Sequence, residues 1–151
     1  MADSGEMLAF PQRLHHETPG WAKTGSLFHV RLRVASEQVL PLTEPKLAAR
    51  LLAAAENYHE RALWHCSLVL LMPDHVHALI AFPIDASMRK KVGAWKRYAA
   101  REFGVSWQRN FFDHRIRNEA ERLESWSYIA RNPVAKKLCE HENDWPWVWK
   151  P

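Results

Sequence analysis

Between Ser26 and Val34 apolar and polar positions alternate without interruption: Phe28, Val30, Leu32 and Val34 fall on one side, His29, Arg31 and Arg33 on the other. A period of two predicts a half-buried strand whose polar face carries two arginines. From Pro45 to Glu60 the period lengthens. Leu47, Leu51, Ala54, Ala55 and Tyr58 recur at helical spacing, and Pro45 suits a first turn, so this segment predicts an amphipathic helix. The apolar run from Leu63 to Met72 predicts a central strand, Pro73-Asp74 a tight turn, and His75 to Phe82 a returning strand. The resulting hairpin places two histidines just beyond its turn.

Met88, Val92, Trp95, Ala99 and Phe103 space out a second amphipathic helix, which Gly104 ends. Trp107 to Ile116, aromatic and mixed-polar, suggests a fourth strand. Asn118 followed three residues later by Glu121 is a capping box, opening a helix expected to run to about Asn132, ahead of Pro133. Strand, helix, strand, strand, helix, strand is the order of a ferredoxin-like α+β fold: an antiparallel βαββαβ sheet, here with one helix appended at the C-terminus. No repeat or Gly/Ser linker divides the chain. Residues 1–25 read as a leader and 26–151 as a single domain.

Composition changes this picture little. At 151 residues, 47% apolar, 25% charged and with 5 glycines, the chain can bury a core without disulfides or a structural metal. Its longest apolar stretch, Cys66 to Pro73, is too short to span a bilayer, and the start is acidic (Asp3, Glu6) rather than signal-like, so a cytoplasmic protein with no membrane partner is expected. Cys66 and Cys139 lack metal-ligand spacing and read as packing residues. Charge adds more. The formal +4 is modest, but Arg89, Lys90, Lys91, Lys96, Arg97 and Arg101 gather in one window with Trp95 and Tyr98. That pattern suits either a polyanionic partner or a solvated helix face.

Candidate chemistry lies in two places. His75 and His77, two apart on a strand, share a face about 7 Å apart, within reach of one metal ion. Imidazole pairs hold divalent ions and leave positions for a third ligand, water or phosphate oxygen, although two structural histidines would give the same spacing. Tyr128 and Asn132 are four apart on a predicted helix, so they also share a face, and an amide oxygen can complete a metal site close to a phenol. Tyrosine can act as a covalent nucleophile. Because a phenol is mostly protonated near neutral pH, a metal or base must assist it. Of the other tyrosines, Tyr58 falls on an apolar helix stripe and Tyr98 beside the basic run.

The string Leu71-Met72-Pro73-Asp74-His75-Val76-His77-Ala78-Leu79-Ile80 resembles the signature of the single-tyrosine, His-hydrophobe-His (HUH) transposases. Tyr128-Ile129-Ala130-Arg131-Asn132-Pro133-Val134 resembles their catalytic-tyrosine helix. Between them, Trp107 to Arg117 is similar to the strand segment of the REP-associated tyrosine transposases, as is the leader from Trp21 through Arg33. Three motifs in one order are far more specific than any of them alone. The chain departs from the family after Asn132-Pro133-Val134. There the family commonly runs on with a glycine and a small apolar residue, and this chain has Lys136, Lys137, Leu138 and Cys139.

The resemblance implies a transposase or endonuclease in which His75, His77 and Asn132 bind Mg²⁺ or Mn²⁺ and Tyr128 attacks a scissile phosphate. It implies a 5′-phosphotyrosine intermediate on single-stranded, hairpin-forming palindromic DNA, with the chain acting as monomer or homodimer. Arg89, Lys90, Lys96 and Arg97 are then expected along the phosphates, with Arg31 and Arg33 guiding the strand. His114, like His29, is a candidate DNA or proton-transfer contact, the alternative being an ordinary strand histidine. Trp145, Trp147 and Trp149 would either stack unpaired bases or strap over the core, and the strap is preferred. Three further readings are a hydrolase that activates water in place of Tyr128, a module that only binds hairpin DNA, and a structural ferredoxin-like protein whose histidine pair binds neither metal nor DNA tightly.

Overall fold

The computed structural model describes residues 26–151. The leader expected over 1–25 lies outside them, and with it the part of the family resemblance that precedes Ser26. In chain order the described elements are β1 (Ser26–Arg33), α1 (Pro45–Glu60), β2 (His65–Met72), β3 (His75–Phe82), α2 (Met88–Phe103), β4 (Phe112–Ile116), α3 (Glu119–Ala135) and β5 (Val148–Trp149), with one 3-10 turn at Glu142–Asp144. The sheet runs β4-β1-β3-β2-β5, with every neighbouring pair antiparallel. Its first four strands have the ferredoxin-like order that the pattern predicts.

Alternation along the strands divides the molecule into two layers. Val30, Leu32, Val76, Ala78, Ile80 and Phe82 point to one face, where Leu47, Leu51 and Ala55 of α1 and Val92, Trp95 and Ala99 of α2 cover them. Leu68, Leu70, Met72, Leu79 and Ile116 point to the other face and meet Ile129 of α3. The register of β2 shifts between Cys66 and Leu68, so Cys66 joins the first layer while Leu68 and Leu70 join the second. Burial pushes the Cys66 thiol up to about 12, as befits a packing residue.

Two boundaries differ from the sequence expectation. The fourth strand is shorter: Trp107 makes only an isolated bridge to Val34, and regular pairing starts at Phe112. Between the two, Gln108 N–H still donates to the Arg33 carbonyl at 2.9 Å, while the Lys96 ammonium engages the carbonyls of Gln108 (2.9 Å) and Arg109 (3.2 Å) from α2. The last helix, in turn, does not stop before Pro133 but runs through it to Ala135. Pro133 falls in the final turn, where one missing donor interrupts little.

The helix ends there in a Schellman pair. Leu138 N–H donates to the carbonyl of Pro133 at 2.8 Å and Lys137 N–H to that of Val134 at 2.9 Å. Lys137 adopts φ +62° to close it, at the stretch where this chain departs from the family's glycine.

The tryptophan-rich tail is a strap. Val148–Trp149 pairs with β2, Leu71 N–H donates to the carbonyl of Trp147, and Trp145 Nε1 donates to that of Leu71. Trp147 and Trp149 pack on the first layer, Trp145 and Val148 on the second, so the tail covers an otherwise open sheet edge.

Candidate active site

The second layer carries the candidate residues. Strand alternation puts His75 and His77 on the face covered by α3, and pairing with β1 sets Arg31 opposite His77 and Arg33 opposite His75. Both histidines are buried. Their Nε2 atoms stand 3.1 Å apart. Two donors ~2.1 Å from one octahedral ion, at right angles to each other, would be ~3.0 Å apart, so the pair is spaced as two neighbouring ligands of a single ion.

Each ring is gripped at its other nitrogen: His75 Nδ1 by Asp74 Oδ1 at 2.6 Å, and His77 Nδ1 by His29 Nε2 at 3.0 Å. Asp74 is held in turn by Arg33 at 3.5 Å. The hairpin turn that the sequence predicts is what brings Asp74 to His75.

Burial keeps these imidazoles neutral, the state in which they accept a metal. His77 is lowered to about 2, by burial first and then by the neighbouring His75, His29 and the two arginines. His29 is lowered to about 4 by burial, with help from Arg31 and His114. Burial also lowers His75, against the opposing pull of Asp74. For Asp74 burial works to raise the carboxyl, but the hydrogen bond it accepts from His75 and the charge of Arg33 work the other way, and the group lies below its usual range.

The capping box that opens α3 is present, Asn118 Oδ1 accepting from Glu121 N–H at 2.9 Å. The Glu121 carboxylate reaches one residue further back than expected, to Arg117 N–H. On this helix Tyr128 is 55% exposed, with its ring 5.8 Å from that of His77 and 6.2 Å from that of His29. Asn132, one turn later, is 5% exposed, and its Oδ1 is buried without a hydrogen-bond partner. Among the described residues no cluster of three His, Cys, Asp or Glu side chains could hold a metal. The donors that the second layer offers a divalent ion are therefore the imidazole pair and the orphaned amide oxygen of Asn132.

The basic residues predicted to meet DNA fall into separate groups. Arg31 and His114 share the site face: the Arg31 guanidinium lies 4.8 Å from the exposed Phe112 ring, and His114 lies 3.7 Å from Glu121. Arg89 sits at the β4 edge, paired with Asp113 at 3.2 Å. Lys90 and Arg97 are exposed on α2, in the layer opposite Tyr128.

Lys96 departs from the expectation: it is buried, with its ammonium engaged by Gln108 and Arg109, because its helix position faces the loop and not solvent. Asp74 is the site residue that sequence reasoning left without a role, its only signal being a turn position next to a histidine; His29, expected as a DNA or proton-transfer contact or an ordinary strand histidine, instead touches His77.

No family model matches the chain. A curated Haemophilus influenzae protein bearing the name REP-associated tyrosine transposase is 29% identical over 52% of this chain and 54% of its own length, so the chain spans about half the length of the curated relative it matches. A solved structure of a REP-associated tyrosine transposase bound to a REP hairpin shares the fold, with a TM-score of 0.71 at 20% identity over 87% of this chain and 81% of that one. The sequence similarity is thus to a protein bearing the name of the family that the motifs of this chain resemble, and the solved structure shows a shared fold.

Proposed function

We propose that this chain is a REP-associated tyrosine transposase that cleaves and rejoins single-stranded DNA at hairpin-forming palindromic repeats, with Tyr128 as nucleophile. The observation that carries the reading is the pairing of an exposed Tyr128 with a buried, unpartnered Asn132 one turn away, on the helix that covers His75 and His77. His75, His77 and Asn132 would hold the ion. A bound Mg²⁺ or Mn²⁺ would supply Lewis-acid polarisation of the scissile phosphate.

In the cleavage step the Tyr128 phenolic oxygen forms a bond to phosphorus and gives up its proton, and the bond from phosphorus to the 3′ oxygen breaks. The departing strand carries a 3′-hydroxyl, and the 5′ phosphate stays on Tyr128. Attack by another 3′-hydroxyl reverses the step and joins strands, because the phosphodiester energy is kept in the tyrosyl link. Arg31, Arg33 and His114 lie on the same sheet face and guide the strand toward Tyr128. Lys90 and Arg97 take the hairpin's phosphates on the other layer, the DNA passing Arg89 at the β4 edge.

The test incubates the chain and a Tyr128→Phe variant with Mn²⁺ and single-stranded DNA containing a REP-type hairpin, resolved on a denaturing protein gel. A DNA-linked band from the parent and none from the variant is expected. Cleavage by both proteins with a free 5′-phosphate product would replace tyrosine chemistry with activation of water.

A further inference from the structure

His29 has no role in the reaction as described, yet it is 9% exposed and makes a hydrogen bond to a proposed metal ligand. Four groups form one chain: Asp74 Oδ1 to His75 Nδ1 at 2.6 Å, His75 Nε2 to His77 Nε2 at 3.1 Å, and His77 Nδ1 to His29 Nε2 at 3.0 Å. Its protons can be counted. A carboxylate only accepts, so His75 donates from Nδ1, and a neutral imidazole that donates from Nδ1 has a lone pair at Nε2.

Two bare lone pairs 3.1 Å apart repel. Without a cation, the hydrogen between these nitrogens must come from His77. His77 then accepts at Nδ1 from the Nε2–H of His29. With a cation bound to both Nε2 atoms, the His77 proton has to reside on Nδ1. His29 must then accept at Nε2 and carry its own proton on Nδ1. Each of the three imidazoles keeps one proton in both arrangements, so only tautomers change.

We propose that His29 is a positioning residue that accepts the Nδ1–H of His77 and so holds His77 in the tautomer that offers its Nε2 lone pair to a divalent ion. Asp74 does the same for His75. The inference rests on the metal-binding reading of His75 and His77. Partners that fix a ligand imidazole in this way are typically worth 10- to 100-fold in metal affinity.

The experiment measures Mn²⁺ binding to the full chain by electron paramagnetic resonance, for the parent and for His77→Ala, His29→Phe and His29→Gln. Circular dichroism verifies the fold of each variant. His77→Ala should abolish binding, and His29→Phe should weaken it 10- to 100-fold. His29→Gln should restore most of it, because a glutamine Oε1 can accept where the His29 Nε2 does. In parallel, ¹⁵N imidazole spectra of the parent should show the His77 proton moving from Nε2 to Nδ1 on addition of Mg²⁺.

Parent-like Mn²⁺ affinity in His29→Phe, equal weakening by Phe and Gln, or a His77 tautomer that does not respond to Mg²⁺ would each overturn the role of His29. Undiminished Mn²⁺ binding by His77→Ala would overturn the metal site itself. Should His29→Phe fail to fold, the glutamine variant and the spectra decide.

Discussion

Tyr128 and Asn132 occupy successive turns on one face of α3, yet one side chain is 55% exposed and the other 5%. The face dips from solvent into the second layer within one turn, setting a free phenol beside a buried amide whose Oδ1 has no partner. An unsatisfied buried acceptor costs ~1–3 kcal/mol, a cost that a bound ion or water would offset. Replacing Asn132 by Leu, of similar size, should therefore hold or raise the melting temperature while lowering Mn²⁺ affinity at least ~10-fold. Calorimetry on both axes checks it; a large loss of stability with unchanged affinity would make Asn132 a structural residue.

Lys96 and Arg97 are neighbours in sequence with opposite surroundings. Lys96→Met keeps the apolar stem but strips the donors from two loop carbonyls, and should cost ~1–2 kcal/mol in urea unfolding with little effect on the salt dependence of DNA binding. Arg97→Ala should leave stability alone and flatten the log-log salt slope by ~1, if Arg97 meets a phosphate as proposed. The reverse pattern would return Lys96 to the DNA surface.

At the end of α3, Lys137 holds φ +62°, a conformation that glycine adopts freely and that costs other residues ~1–2 kcal/mol. Lys137→Gly should raise the melting temperature by a few degrees, read by differential scanning calorimetry. Ala62 closes α1 at φ +59° with an equivalent hydrogen-bond pair, so Ala62→Gly should act in the same direction. Gly104, already in the left-handed region after α2, provides the contrast: Gly104→Ala should destabilise.

Acid should weaken the fold well above the carboxylate range. His29 and His65 are each lowered by burial to about 4, His65 with a smaller push from His59. Below pH ~6.5 the unfolded chain protonates these groups and the native chain does not, so stability rises with pH across the window from about 4 to 6.5. Each such histidine contributes a slope of up to ~1.4 kcal/mol per pH unit. Urea midpoints at pH 7, 6 and 5 should fall in that order. A flat profile would mean that these rings are protonated in the native state.

Periodicity alone carried the sequence a long way. The switch from alternation at Phe28–Val34 to helical spacing at Leu47–Tyr58, and the Pro73-Asp74 turn between two apolar runs, were enough to set the element order and hence the βαββαβ topology. The same local rules put His75 with His77 and Tyr128 with Asn132, because a strand period of two and a helix step of four are properties of neighbouring residues. Boundaries were legible only where local chemistry decided them. The late start of the fourth strand was not legible, nor was the engagement of the Gln108 and Arg109 carbonyls by Lys96, a contact from another helix that no pattern within Trp107–Ile116 contains.

Nor could the sequence tell which layer a polar side chain enters. The α2 window reads as one basic cluster, but its rotation on the sheet buries Lys96, sends Lys90 and Arg97 outward and leaves all three in the layer opposite Tyr128. His29 is separated from His77 by 48 positions, and the two meet only because β1 pairs with β3 in one particular register. Short-range steric and hydrogen-bonding preferences thus determined the elements and the motifs. Long-range packing, which selects one register and one helix rotation to bury the apolar faces, decided which of those motifs share a site.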